Sequence, residues 1–304
     1  MMQIDKQNGE VGFNEEKHIY FDLKNPEDKY ISVTTLIGKF HQEFDAEFWS
    51  TYKAAERVLL NNNLRFKWDS LKKMMMRTRK VPSELHEYYQ VNREEFDLTK
   101  AMILDEWEKK KNEACDRGTK IHLEKELECI GTPEVRAQKL RLGGSFECNP
   151  DDYKLELERG LYPEFLISAK FGDLRIAGQI DLLVKDGNNI TIADYKTNKE
   201  IKTHSHFNNY QQRYEMMKFP LHKLMDCNLM HYTMQLSTYA YLLKQHNPDF
   251  NIKELFLIHY DHDGNEKRYD LEYKEQEVKD MIREYKKTLA LDERKENRKP
   301  LVYG

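Results

Sequence analysis

Two aspartates and a lysine close to residue 190 carry the clearest chemistry in this chain. The segment from Gln179 to Lys196 reads as two β-strands joined at Asp186-Gly187-Asn188-Asn189, whose Gly and Asn suit a two-residue hairpin connection. With Gly187 and Asn188 as the loop, pairing runs outward from Asp186 opposite Asn189, through Lys185 opposite Ile190, to Asp181 opposite Asp194. Carboxylates directly across adjacent strands have Cβ atoms roughly 4.5–5.5 Å apart, and like charges there are destabilising unless something positive lies between them. A divalent cation meets that need. An oxygen-rich pair suits Mg²⁺ or Mn²⁺, which can acidify bound water and offset the charge of a phosphate. Side chains alternate along a strand, so Lys196 projects on the face of Asp194, where it can orient an attacking water or stabilise charge in a transition state. Ile180, Leu182, Val184, Ala193 and Tyr195 turn the other way, and that apolar face is expected to be the core, leaving the acidic face as the site. On the residues alone an alternative stands beside this reading: an exposed sheet face on which Asp181, Asp194 and Lys196 form surface pairs.

The elements that must hold these groups follow from periodicity. Residues 162–197 read as three consecutive antiparallel strands, with Gly and Asn at the joins. Upstream, HIYFDL and KYISV flank a turn-forming segment and predict an N-terminal hairpin, with a helix beginning at Thr34. Residues 45–130 carry Lys, Glu, Leu, Met and Arg at helical spacing, interrupted near Val81-Pro82-Ser83. Downstream, Leu236, Ala240 and Leu243 mark a helix over 231–245, followed by the strand ELFLIHYD, a turn at DHDG, a short strand and a charged C-terminal helix. The fold class is mixed α/β (α+β), helices packed on a central sheet. The expected organisation is a hairpin and first helix over 1–44, a helical lobe or insertion over 45–115, and a core over 116–304.

Four segments in series then carry a resemblance: GTKIH at 118–122, GQID at 178–181, ADYKT at 193–197 and QLSTYAYLL at 235–243. Together they resemble the RecB-like branch of the PD-(D/E)XK nucleases, over roughly residues 115 to 260. The segments YISVTTLIGKF and FPLHKLMDCNLMHYTMQLSTYAYLL also look like nucleases encoded by bacterial viruses. The resemblance implies a restriction-endonuclease-like core with a central mixed sheet. It implies Asp181 and Asp194 as metal ligands, the Tyr195 main-chain carbonyl as a third and His122 as a fourth, with Lys196 as the catalytic lysine. Gln235 and Tyr239 match the family's Gln-x-x-x-Tyr pair and are expected to line the site and contact DNA or the lysine, with Thr119 as a further substrate contact. Glu164 lies on the first of the three strands, where some members carry an acidic helper.

The implied activity is Mg²⁺- or Mn²⁺-dependent hydrolysis of DNA phosphodiesters leaving 5′-phosphates, by an exonuclease in recombination, repair or replication. Alternatives are a structure-specific endonuclease, a nuclease of RNA, and a catalytically inactive nucleic-acid-binding scaffold. DNA is the expected partner, with recombination or replication proteins beside it. Some relatives hold an iron–sulfur cluster with one cysteine before and three after the Gln-x-x-x-Tyr helix. Here Cys115, Cys129, Cys148 and Cys227 all precede Gln235, so no cluster is expected.

Composition bounds the rest. The 304 residues are 34% charged and 39% hydrophobic with a formal net charge of −4, which is a folded protein with a polar surface whose overall charge does not advertise a nucleic-acid binder. Lys109-Lys110-Lys111 and KKMMMRTRK at 72–80 read as solvated helix faces rather than phosphate-tracking surfaces. Without a Cys-x-x-Cys pair, the cysteines read as reduced thiols in place of a zinc site or disulfide framework. No leader pattern and no apolar run of membrane-spanning length is present, so the expected location is cytoplasmic, in the host if the chain is viral. No Walker A sequence occurs.

Overall fold

The computed structural model describes residues 6–8, 10–83, 85–88, 91–130, 157–209 and 212–296. The elements in chain order are β1 (Lys6–Asn8), β2 (Val11–Asn14), β3 (Ile19–Asp22), β4 (Lys29–Ser32), α1 (Val33–Gly38), α2 (Ala46–Asn61), α3 (Arg65–Thr78), α4 (Leu85–Tyr88) and α5 (Arg93–Ile130). There follow β5 (Gly160–Phe171), β6 (Leu174–Asp186), β7 (Asn189–Lys196), β8 (Phe207–Asn208), β9 (Arg213–Tyr214), α6 (Asn228–His246), β10 (Asn251–Tyr260), β11 (Glu266–Leu271) and α7 (Glu275–Glu296). They form two compact units, one of residues 1–42, 119–207 and 213–304, the other of residues 43–118 and 208–212. The expected division at residue 115 falls inside α5, which the units divide between Gly118 and Thr119.

The first unit is built on a nine-stranded sheet in the order β1-β2-β3-β4-β6-β7-β10-β11, with β5 on β6. β6 organises it. One edge of β6 pairs with β5 along almost its whole length, so the other edge is shared end to end by β4, through Ile31↔Ile176 and Ser32↔Ala177, and by β7, from Leu182↔Ala193 to Asp186↔Asn189. Between Ala177 and Leu182 that shared edge has no ladder partner, and Gly178 and Asp181 lie in the gap. The β6–β7 register is the one the turn residues predict, with Gly187 at φ 61, the left-handed conformation that a primed hairpin turn demands. β10 continues the sheet in parallel with β7, pairing Leu257 with Asp194 and His259 with Lys196.

Burial holds this sheet against its helices. Leu36 and Ile37 of α1, Leu236, Ala240 and Leu243 of α6, and Val278 and Met281 of α7 share one buried cluster with Ile176, Ile180, Leu183, Ile190, Ile192 and Leu257. α1 starts at Ser32, whose side chain accepts a hydrogen bond from the Thr35 N–H at 3.0 Å, satisfying an orphan donor of its first turn. The alternation of the hairpin has a different meaning from the one expected. Leu183, Ile190 and Ile192 share the parity of Asp181 and Asp194 and are fully buried, while on the expected core face Ile180, Ala193 and Tyr195 are also buried and Leu182 and Val184 half-buried, so both faces of the hairpin are covered. The carboxylates therefore belong to a buried face that continues into the core, because α6 covers it.

The second unit is helical. Phe48, Tyr52, Val58, Leu59, Trp68, Leu71, Met75, Phe96 and Ile103 make its core. Asp45 caps α2 by accepting from the Phe48 N–H at 2.8 Å, and Arg57 holds Glu106 through two 3.0 Å hydrogen bonds. Lys72, Lys73, Arg77 and Lys80 are exposed, as are Lys109, Lys110 and Lys111.

Candidate active site

The β6–β7 ladder stops at Leu182↔Ala193, one step short of the two aspartates. Asp181 and Asp194 occupy the next position, and a side chain replaces the backbone there: the Tyr195 N–H donates to Asp181 Oδ2 at 2.8 Å. This bond turns the Asp181 carboxylate across the gap in the β6 edge and fixes its orientation. Asp194 is 1% exposed and Asp181 9%, so neither charge is relieved by bulk water. Burial, and then the charge of Asp194, push the Asp181 carboxyl up from 3.8 to about 7, against the pull of His122, Lys196 and the Tyr195 N–H.

His122 comes from α5 and joins this pair. Its Nε2 lies 3.1 Å from the Tyr195 carbonyl oxygen, its Nδ1 3.5 Å from Asp181 Oδ2 and 4.0 Å from Glu164 Oε1. His122, Glu164 and Asp181 offer ligand atoms that all lie within 4.8 Å of one another. Glu164 reaches this point from β5 with φ 52, where the chain departs from regular strand geometry, and the Gln179 amide donates to its carboxylate. Thr119 sits one turn before His122 on α5 and is exposed.

Lys196 forms an ion pair with Asp194 and lies over the Tyr232 ring, 4.7 Å from its centroid. Burial pulls the lysine pKa down, but the charges of Asp194 and Asp181 outweigh it and hold the ammonium above its usual range. The Tyr232 hydroxyl donates to Asn198 Oδ1 at 2.7 Å, and the Asn198 carbonyl lies 2.6 Å from His259 Nε2, so the ring is held from both β10 and the end of β7.

α6 backs the site. Gln235 Nε2 donates to Asp194 Oδ1 at 3.2 Å and to the Tyr239 hydroxyl at 3.2 Å, so its amide contacts the aspartate in place of the lysine. Tyr239 is buried beneath β6. A Cβ on Gly178 would lie 2.5 Å from Tyr239 Cε1 and 3.2 Å from Val33 Cγ2, which is why the GQID segment carries glycine there.

Periodicity left two contributors unread. Tyr232 precedes Gln235 by three residues on one helix face, a spacing that signals it in retrospect. The pairing of Glu164 with Gln179 depends on the irregular backbone at Glu164, which no local pattern announces. Of the cysteines, Cys115, Cys129 and Cys227 are in no disulfide among the described residues, and Cys148 lies outside them.

Two carboxylates and an imidazole whose ligand atoms lie within 4.8 Å of one another, with the Tyr195 main-chain carbonyl at the imidazole's other nitrogen, form a donor set suited to a hard or borderline divalent cation. Burial and the charge of Asp194 raise the Asp181 carboxyl, and a cation bound there would offset both. The residues therefore fit such an ion.

Comparisons with known proteins bear on this arrangement. A family model described as PD-(D/E)XK nuclease superfamily matches residues 68–299. No curated protein matches the chain. Among solved structures, one titled "Crystal structure of SSO0001" is similar at 17% identity and a TM-score of 0.27, and the alignment covers 43% of this chain and half the length of that one. No described helix is long and apolar enough to cross a membrane.

Proposed function

The chain belongs to the PD-(D/E)XK nuclease superfamily, and from that premise we propose that it is a Mg²⁺- or Mn²⁺-dependent deoxyribonuclease of the RecB-like branch, acting from DNA ends. The observation that carries this reading is the grouping of His122, Glu164 and Asp181, with the Tyr195 carbonyl on the far nitrogen of His122 and the Asp194–Lys196 pair beside them. The serial order of GTKIH, GQID, ADYKT and the Gln-x-x-x-Tyr pair supports the branch, and with it a place in DNA recombination, repair or replication. The YISVTTLIGKF and FPLHKLMDCNLMHYTMQLSTYAYLL segments support an origin in a bacterial virus.

By the resemblance His122, Asp181, Asp194 and the Tyr195 carbonyl would hold the divalent ion, and the geometry adds Glu164, whose ligand atom groups with those of His122 and Asp181. When bound, that ion supplies positive charge at the scissile phosphate and makes water acidic enough to attack near neutral pH. The remaining work falls to the chain. Lys196 presents a fixed ammonium to the charge that grows on the phosphate oxygens, and Tyr232 limits where that ammonium can go. Gln235 fixes one oxygen of Asp194, so the carboxylate shared by the ion and the lysine does not rotate as charge moves. The Tyr195 N–H does the same for Asp181. Catalysis is then mainly positioning and electrostatics, with products carrying 5′-phosphates.

Digestion of end-labelled linear DNA and covalently closed circular DNA, with Mg²⁺, Mn²⁺ or EDTA, tests the reading. Metal-dependent loss of the linear DNA with the circle intact is expected. Cutting of the circle would replace the exonuclease with a structure-specific endonuclease, and inertness toward both, with RNA also untouched, would favour a binding scaffold.

A further inference from the structure

A second group of metal-ligating side chains lies outside the set just described. His41 follows α1, Asp226 lies just before α6, and His231 is in the opening turn of α6. All three are half-buried, and their ligand atoms lie within 4.8 Å of one another. The two imidazole rings stack at 3.5 Å and 15°, His231 Nε2 is 2.5 Å from Asp226 Oδ1, and His41 Nε2 is buried with no hydrogen-bond partner. Main-chain bonds hold the segments in place: the Gln42 N–H donates to Asp226 Oδ2 at 2.6 Å, and the Lys218 N–H donates to the Phe40 carbonyl at 2.7 Å. The Gln42 side chain adds a third tie, to the Met216 carbonyl at 2.8 Å.

We propose that His41, Asp226 and His231 form an accessory site for a transition-metal ion of the Zn²⁺ class, held by two imidazoles and one carboxylate. Two nitrogen donors with one oxygen favour zinc, cobalt or nickel over Mg²⁺ and Ca²⁺, which prefer oxygen alone. The ion replaces the proton shared by His231 and Asp226, gives the orphaned His41 nitrogen a partner, and leaves a further position to water. Gln42 anchors the carboxylate oxygen that does not bind, the usual duty of an outer-shell donor. His231 lies four residues before Gln235 on the same helix face, so an ion here pins the turn of α6 from which Gln235 reaches Asp194. The site is independent of the nuclease reading and would exist in a protein with no catalytic activity.

The test uses the full chain, stripped with EDTA, in a His122→Ala, Asp181→Ala background that removes two of the three grouped ligands of the hairpin site. Co²⁺ is titrated and its visible absorption recorded, and thermal melts are run with and without Zn²⁺. We expect one saturable equivalent of Co²⁺ with the intense bands of low coordination, displaced by Zn²⁺, and a rise in Tm with Zn²⁺. His41→Gln, confirmed folded by far-UV circular dichroism, should weaken binding on the order of 100-fold and abolish the Tm shift. His231→Gln should do the same. An unchanged cobalt spectrum in folded His41→Gln, or no saturable binding by the parent, overturns the site.

Discussion

Removing the charge of Asp181 should make the metal-free protein more stable, although it deletes a residue central to the proposed activity. Burial and Asp194 raise this carboxyl from 3.8 to about 7, so ionising it in the folded state is unfavourable. A carboxyl whose folded pKa is raised contributes stability that is complete below about pH 4 and is lost as pH rises through about 7. Fully expressed at one residue, a shift of this size corresponds to about 4 kcal/mol, and because Asp194 shares the strain the recoverable part is roughly 2–4 kcal/mol. Asp181→Asn is the right perturbation, since its amide oxygen still accepts the Tyr195 N–H. Urea unfolding of both proteins in EDTA from pH 4 to 8 gives the difference directly and cancels the opposite slopes of carboxyls such as Asp22 and Glu10, whose pKa values are lowered. The variant's advantage should grow from near zero at pH 4 to its plateau above pH 7, and saturating Mn²⁺ should reverse the order by stabilising only the parent. A variant less stable than the parent in EDTA at pH 8, or an advantage that ignores pH, would refute the electrostatic argument.

Three substitutions probe the supporting residues. Gly178→Ala drives a methyl into the buried Tyr239 ring and should cost about 1–3 kcal/mol in urea unfolding, with a parallel loss of cleavage as α6 moves. Gln235→Leu leaves Asp194 Oδ1 without its amide donor, and a lost buried hydrogen bond of about 1–3 kcal/mol predicts roughly 5- to 150-fold lower kcat/KM in single-turnover cleavage. Tyr232→Leu removes the ring beneath Lys196, so kcat should fall about 2- to 30-fold while KM for DNA holds, and an unchanged kcat would free Tyr232 of any positioning role.

Local chemistry made much of the fold readable. Gly187 and Asn188 determined the β6–β7 register because a two-residue primed turn permits only one pairing, and the ladder from Asp186↔Asn189 to Leu182↔Ala193 follows it. Leu236, Ala240 and Leu243 are all buried, as helical spacing required. Alternation told only half of the hairpin's burial: Ile180, Ala193 and Tyr195 are buried on the expected face, but period two cannot say that a distant helix will also cover the acidic face, where Leu183 and Ile192 are buried and Gln235 of α6 reaches Asp194. The structure brings His122, Glu164, Asp181, Asp194, Lys196 and Gln235 together, while it buries Tyr239 behind them and leaves Thr119 exposed on α5. What stayed hidden depends on long-range encounters: Tyr232 beneath Lys196, Glu164 with Gln179, and His41 against His231 are brought together by tertiary packing that no window of sequence contains.

The central claim is that the chemistry of this chain resides at the hairpin of Asp181, Asp194 and Lys196, and Lys196→Ala tests it most directly. Wild type and variant, matched for fold and for Mn²⁺ binding, are compared on end-labelled linear DNA under single-turnover conditions, with DNA affinity measured in parallel. If the hairpin assignment holds, cleavage is abolished while DNA binding stays largely intact. Cleavage by the variant at the wild-type rate would contradict it and place the reaction elsewhere in the protein.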